Sequence, residues 1–326
     1  MINLIENEML KLVRKKRFLV VTLVVLVIIS IFTYAQYRTT QTAIQRSGTT
    51  DWRTILQQQI VDAQNRMSNS RSSNDMRQAL KIRIAQEQYY LDHNINPNAP
   101  GAPTFMRTFG GQSVSLLLPL LIMVATSDIV SSEYSGGTIK MLLTRPVRRW
   151  KILLSKYIAM ILSVSAIVFL VVAASYLIPG FIFGYDGWTM PVLSGFSVSS
   201  GDLNTSNVHL MPQWQYLIME YGLVWFVCVV VGTLSFMVSV LIRSTAAGMG
   251  VMLASLISGA VLSNMVSSWE SAKYLFMINL SLPNYLSGSA PPVDGMTLGF
   301  SIAVLAVWGF AGILVSFWVF LRRDVY

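Results

Sequence analysis

A chain of 326 residues that is 53% apolar and only 12% charged, with a mean hydropathy of +0.55, lies outside the soluble globular range and reads as a multi-span membrane protein. Its formal charge of +9 comes from basic residues dispersed over several loops, many beside apolar runs, which membrane topology explains better than nucleic-acid binding. The single cysteine, Cys228, excludes an internal disulfide or a cysteine metal cluster and, set in an apolar run, reads as a packing residue.

Residues 1–17 space Leu4, Ile5, Met9, Leu10, Leu12 and Val13 roughly helically among charged neighbours, which predicts an interfacial elbow helix leading into the membrane. Residues 18–37 form the first span; a basic stretch before an apolar one also suits a signal peptide, but no small-residue cleavage site follows, so retention is expected. Residues 38–109 are polar, with Trp52, Ile55, Leu56, Ile60, Ala63 and Met67 on one helix and Met76, Leu80, Ile84 and Leu91 on another. They predict an extracellular helical hairpin, either a solvated cap or a region for substrate gating or partner contact. Its basic residues outnumber its acids, yet an insertion of this length escapes the positive-inside rule. Residues 110–130 form the second span, with a kink expected at Pro119 and Asp128 at the interface.

Residues 131–151 are polar and basic between two apolar segments. After Gly136 and Gly137, Ile139, Leu142 and Leu143 give one apolar side, and Lys140, Arg145, Arg148, Arg149 and Lys151 a cationic edge. Pro146 ends the predicted helix, because its ring fixes φ and it brings no N–H. So much positive charge in a short link argues for the cytoplasmic side. The bland alternative is a loop whose charges only set topology. The set Glu133, Gly136, Gly137, Thr138, Leu142, Leu143, Arg145, Pro146, Arg148 and Lys156 resembles the coupling-helix region of permease subunits in type 2 ATP-binding-cassette exporters, the ABC-2 type. The resemblance implies that Glu133, Gly136, Gly137, Thr138, Ile139, Lys140, Leu142, Leu143, Arg145, Pro146 and Arg148 dock on a separate ATPase subunit. It further implies two such ATPases, which hold ATP and Mg2+, and a second permease subunit, identical or related.

Residues 152–178 form the third span, with Lys156 expected to snorkel to the interface. Residues 179–212 lack Lys and Arg and predict an extracellular loop, in which His209 has no partner at metal-ligand spacing. Residues 213–242 are the fourth span; Glu220, a carboxylate in its outer part, is a candidate for the translocation path. Residues 246–265 are the fifth span, where Gly248, Gly250, Ala254, Ser255, Ser258, Gly259 and Ala260 predict a face for close helix packing. Residues 266–296 read as a reentrant or interfacial helix and an extracellular segment, 297–321 as the sixth span, and 322–326 as a cytoplasmic tail.

The expected fold is an all-α membrane protein: six transmembrane helices, an N-terminal elbow helix, a cytoplasmic coupling helix and a large extracellular helical hairpin between the first two spans. No phosphate-binding loop, His-Glu-x-x-His pair or Gly-x-Ser-x-Gly elbow is present, so the chain is expected to be no enzyme by itself and to bind no cofactor or metal. The expectation is a permease subunit of an ATP-driven exporter in a bacterial plasma membrane, with both termini cytoplasmic. A sensor or immunity protein that captures a peptide or antibiotic on its outer helices is an alternative. A secondary transporter is a weaker one, since Glu220 alone offers an ionisable group inside a span.

Overall fold

The computed structural model describes residues 1–14, 16–68, 74–138, 147–199, 202–263, 269–293 and 295–322. In chain order its helices are α1 (Ile2–Arg14), α2 (Lys16–Ser47), α3 (Trp52–Ser68), α4 (Asn74–Asp92), α5 (Ala102–Ser113), α6 (Leu117–Thr126) and α7 (Ser131–Ser135), then α8 (Arg149–Phe183), α9 (Gln213–Leu241), α10 (Thr245–Leu262) and α11 (Leu298–Arg322). Among the described residues, six stretches are long and apolar enough to cross a membrane: α2, Leu117–Ser135, α8, α9, α10 and α11. The protein is therefore a predominantly helical, multi-pass membrane protein.

The bundle is built around α9, which packs against α5, α6, α8, α10 and α11. Val224, Val227, Cys228 and Val231 along it are wholly buried. Close approach requires Gly232, where an added Cβ would come within 2.9 Å of Met160 Sδ and 3.1 Å of Val164 Cγ2 on α8. Between helices in lipid, such interdigitation supplies dispersion energy that the hydrophobic effect does not. By contrast, α2 and α11 leave Leu19, Leu23, Ile31, Val307, Phe310 and Trp318 exposed, as lipid-facing spans require.

Several expectations are corrected. The second span is broken at residues 114–116, ahead of Pro119, which sits in the first turn of α6. A proline ring clashes with the carbonyl four residues earlier, and the first helical turn has no donor to lose, so the helix restarts there instead of kinking. Residues 102–109, placed by sequence in the hairpin insertion, belong to α5, whose Phe105, Met106 and Phe109 are buried against the bundle. Thr104, Arg107 and Thr108 between them mask that apolar side in the sequence. The third span runs through Pro179 to Phe183 and ends at Gly184, whose φ of 85° suits glycine.

Residues 179–212 are not plain loop. Strands β1 (Pro191–Ser194) and β4 (His209–Pro212) pair antiparallel, as do β2 (Ser197–Ser199) and β3 (Asp202–Asn204), giving one interrupted hairpin. The predicted reentrant helix is replaced, among the described residues, by three 3-10 turns at Glu270–Tyr274, Phe276–Asn279 and Leu282–Tyr285, packed on α9, α10 and α11. The small residues of α10 divide between two faces: Gly248 and Gly259 are buried, whereas Gly250, Ala254 and Ser258 are exposed. The α3–α4 hairpin forms as expected around Leu56, Ile60 and Ala63, but on α4 it is Ile82 that is buried, while Met76 is exposed.

Candidate functional site

Two polar constructions interrupt this apolar bundle, one at each end. At the end that carries α1, four charged side chains converge. Lys156 on α8 is 1% exposed, with its Nζ 2.7 Å from both Glu8 Oε2 on α1 and Glu133 Oε1 on α7. Lys11 Nζ completes the set, 3.1 Å from Glu8 Oε1 and 3.2 Å from Glu133 Oε1. Two ammonium groups and two carboxylates leave the cluster neutral, the condition under which buried charge is tolerated. Lys156 thus turns inward rather than snorkelling, because two acids meet it at the bundle wall. Burial pushes the Glu8 carboxyl up, but the neighbouring Lys156 and Lys11 outweigh it and hold the group below its ordinary value. For Lys11 burial acts downward, and the Glu8 and Glu133 carboxylates more than reverse it, so its ammonium is held above the usual range.

The same short helix is tied to two further elements. Ser239 Oγ on α9 accepts hydrogen bonds from the backbone N–H groups of Val130 (3.2 Å) and Ser131 (2.9 Å), which satisfies donors at the start of α7. Ser131 Oγ lies 3.1 Å from Thr245 Oγ1 at the start of α10, and the Arg243 guanidinium stands 5.7 Å above the Tyr134 ring. Asp128, expected at the interface, is instead buried and paired with Arg17 at 3.2 Å. Gly136 caps α7 and Gly137 follows with φ 69°, a left-handed turn that glycine adopts without strain. Gly136, Gly137 and Thr138 are exposed, as is Arg148 where the chain re-enters α8. Ile139, Lys140, Leu142, Leu143, Arg145 and Pro146 lie outside the described residues. Sequence reasoning missed Glu8, although an acid at position 8 shares one helix face with Leu4 and Leu12, and that signal was readable.

At the opposite end, Glu220 on α9 is 1% exposed and lines a cavity of about 560 Å³ together with Arg107, Tyr90, Gln86, Tyr216 and Asn284. Gly110 and Gly111 of α5 make room for it: a Cβ at Gly110 would stand 2.9 Å from Glu220 Oε1. Its other oxygen, Oε2, has no hydrogen-bond partner. The cavity is roofed from outside the spans, where Gln86 Nε2 on α4 donates to the carbonyls of Ser287 (3.1 Å) and Gly288 (3.0 Å). Ser194 Oγ on β1 donates to the Leu286 carbonyl at 3.2 Å. Among the described residues no group of three or more His, Cys, Asp or Glu could hold a metal ion.

A family model described as "Protein of unknown function (DUF2705)" matches residues 83–326. The chain is 25% identical over 336 aligned positions to the uncharacterized protein YhcI of Bacillus subtilis (strain 168), covering all of this chain and 99% of that one. It is 31% identical over 215 positions to the uncharacterized membrane protein YdbK of the same organism, covering 65% of this chain and 80% of YdbK.

Proposed function

The chain belongs to the DUF2705 family, and from that premise we propose that it is the permease subunit of an ATP-driven exporter, working with separate ATPase subunits. The observation that carries this reading is the junction at α7. One five-residue helix, the root of the basic 131–151 segment, is bonded to α1, α8 and α9 and touches α10. A push on that segment is therefore delivered to four bundle elements at once, which is what a coupling element needs in order to turn rotation of a motor into tilting of spans. Glu133, expected to dock on the partner, has its Oε1 committed within the chain and acts as a positioning residue. The docking surface is left to Gly136, Gly137, Thr138 and Arg148, with Ile139, Lys140, Leu142, Leu143, Arg145 and Pro146 between them.

In this reading the junction is cytoplasmic, both termini are cytoplasmic, the α3–α4 hairpin is extracellular, and the membrane is the bacterial plasma membrane. ATP and Mg2+ belong to two partner ATPases. A second permease subunit would meet the exposed Gly250, Ala254 and Ser258 face of α10, which recurs every four residues and admits close helix approach. The sole native thiol, Cys228, is buried, so introduced cysteines can be addressed individually. Thr138→Cys and Arg148→Cys should react with a thiol reagent only from the cytoplasmic side, and should cross-link to a subunit bearing a phosphate-binding loop. Labelling from the outside, or the absence of any nucleotide-binding subunit among the cross-linked products, would refute the proposal.

A further inference from the structure

We propose that the cavity shared by Glu220 and Arg107 binds a zwitterionic small molecule, its ammonium group on the Glu220 carboxylate and its anionic group on the Arg107 guanidinium. A carboxylate inside a span is costly and needs a partner. Glu220 is nine-tenths buried and more, its enclosed Oε2 has no hydrogen-bond partner in the protein, and the residue belongs to the lining of an open volume. That volume, about 560 Å³, far exceeds the room one water needs and falls in the range of small-molecule sites.

Arg107 borders the same space from α5. One of its guanidinium nitrogens donates to the Pro97 carbonyl, which leaves further donors for a ligand. Both side chains line one cavity with no ion pair between them, so a guest carrying both signs, its ammonium holding Glu220 as the carboxylate, complements them best. Gln86, Tyr90, Tyr216 and Asn284 add neutral hydrogen-bonding groups around them. Gly110 leaves room for the carboxylate, since a Cβ there would stand 2.9 Å from Glu220 Oε1 and force it to shift. The chemistry is shared by a short free peptide, whose two ends carry opposite charges, and by a phosphoethanolamine headgroup, so the source is left to experiment. The inference does not depend on a motor subunit.

Calorimetric titration of the full-length protein in detergent, without ATP, tests it with two probes, trialanine and glycerophosphoethanolamine. At least one should bind, and the one that binds identifies a peptide-like or a lipid-derived guest. The amine-blocked N-acetyl-trialanine, or glycerophosphoglycerol, should bind about tenfold more weakly or worse, since a charge-assisted hydrogen bond is lost. Glu220→Gln, which keeps the side-chain shape, should weaken binding by a similar factor; Arg107→Gln should do likewise, whereas Arg107→Lys should retain most of it. Failure of both probes to bind, or equal affinity for the amine-blocked forms, would overturn the proposal. Unchanged affinity in a folded Glu220→Gln protein would do the same.

Discussion

Lys156 shows how much a single residue decides here. It satisfies two carboxylates from different elements while nearly excluded from solvent, and among the described residues only Lys11 remains to compensate them if it is removed. Breaking one partner out of a buried ionic cluster costs about 3 kcal/mol, so Lys156→Met should lower the melting temperature of the detergent-solubilised protein markedly. Adding Glu8→Gln and Glu133→Gln should recover most of that loss, since no uncompensated acid then remains. The cluster also sets a pH dependence. The Glu8 carboxyl titrates below its ordinary value in the fold, so its contribution is complete above the unfolded-state value and is lost as pH falls through the folded one. Melting temperature should drop on acidification through that window, and Glu8→Gln should lose this part of the drop. Lys11 runs the other way, with its contribution lost as pH rises through its raised value.

At the scale of elements, α10 illustrates a limit of periodicity. Its glycines and serines look like one packing stripe in the sequence, yet the structure uses two faces. Gly259 faces the 3-10 turn at Phe276–Asn279, where a Cβ would come within 2.3 Å of Met277 Cβ, an atom fixed to backbone. Gly250 has nothing within 4 Å of an added Cβ. Gly259→Ala should therefore destabilise the protein by about 1–3 kcal/mol through overpacking, while Gly250→Ala should be neutral or stabilising by up to about 1 kcal/mol. Thermal unfolding of the two variants side by side separates a position that needs glycine at a contact within the chain from one that does not. Pro119 carries the same lesson: its presence announced an irregularity, but the turn of helix it would occupy depended on where α5 stopped.

For the whole molecule, the six apolar stretches found among the described residues were legible because burial in lipid demands long, uninterrupted apolar runs, and those are properties of consecutive residues; the helices α1, α3 and α4 were legible from the spacing of their apolar residues. Glu220 was legible in the sequence as a charge out of place in an apolar run. What those residues meet was not. The closing of Glu8, Lys11, Glu133 and Lys156 into one neutral group joins positions 148 residues apart. The cavity at Glu220 is assembled from α4, α5, β1, α9 and the turns near Asn284. Local sequence determined which segments enter the membrane. Only the tertiary structure decided which charges face one another, because a charge is tolerated inside the bundle by its spatial partner, and partners in this protein come from distant helices.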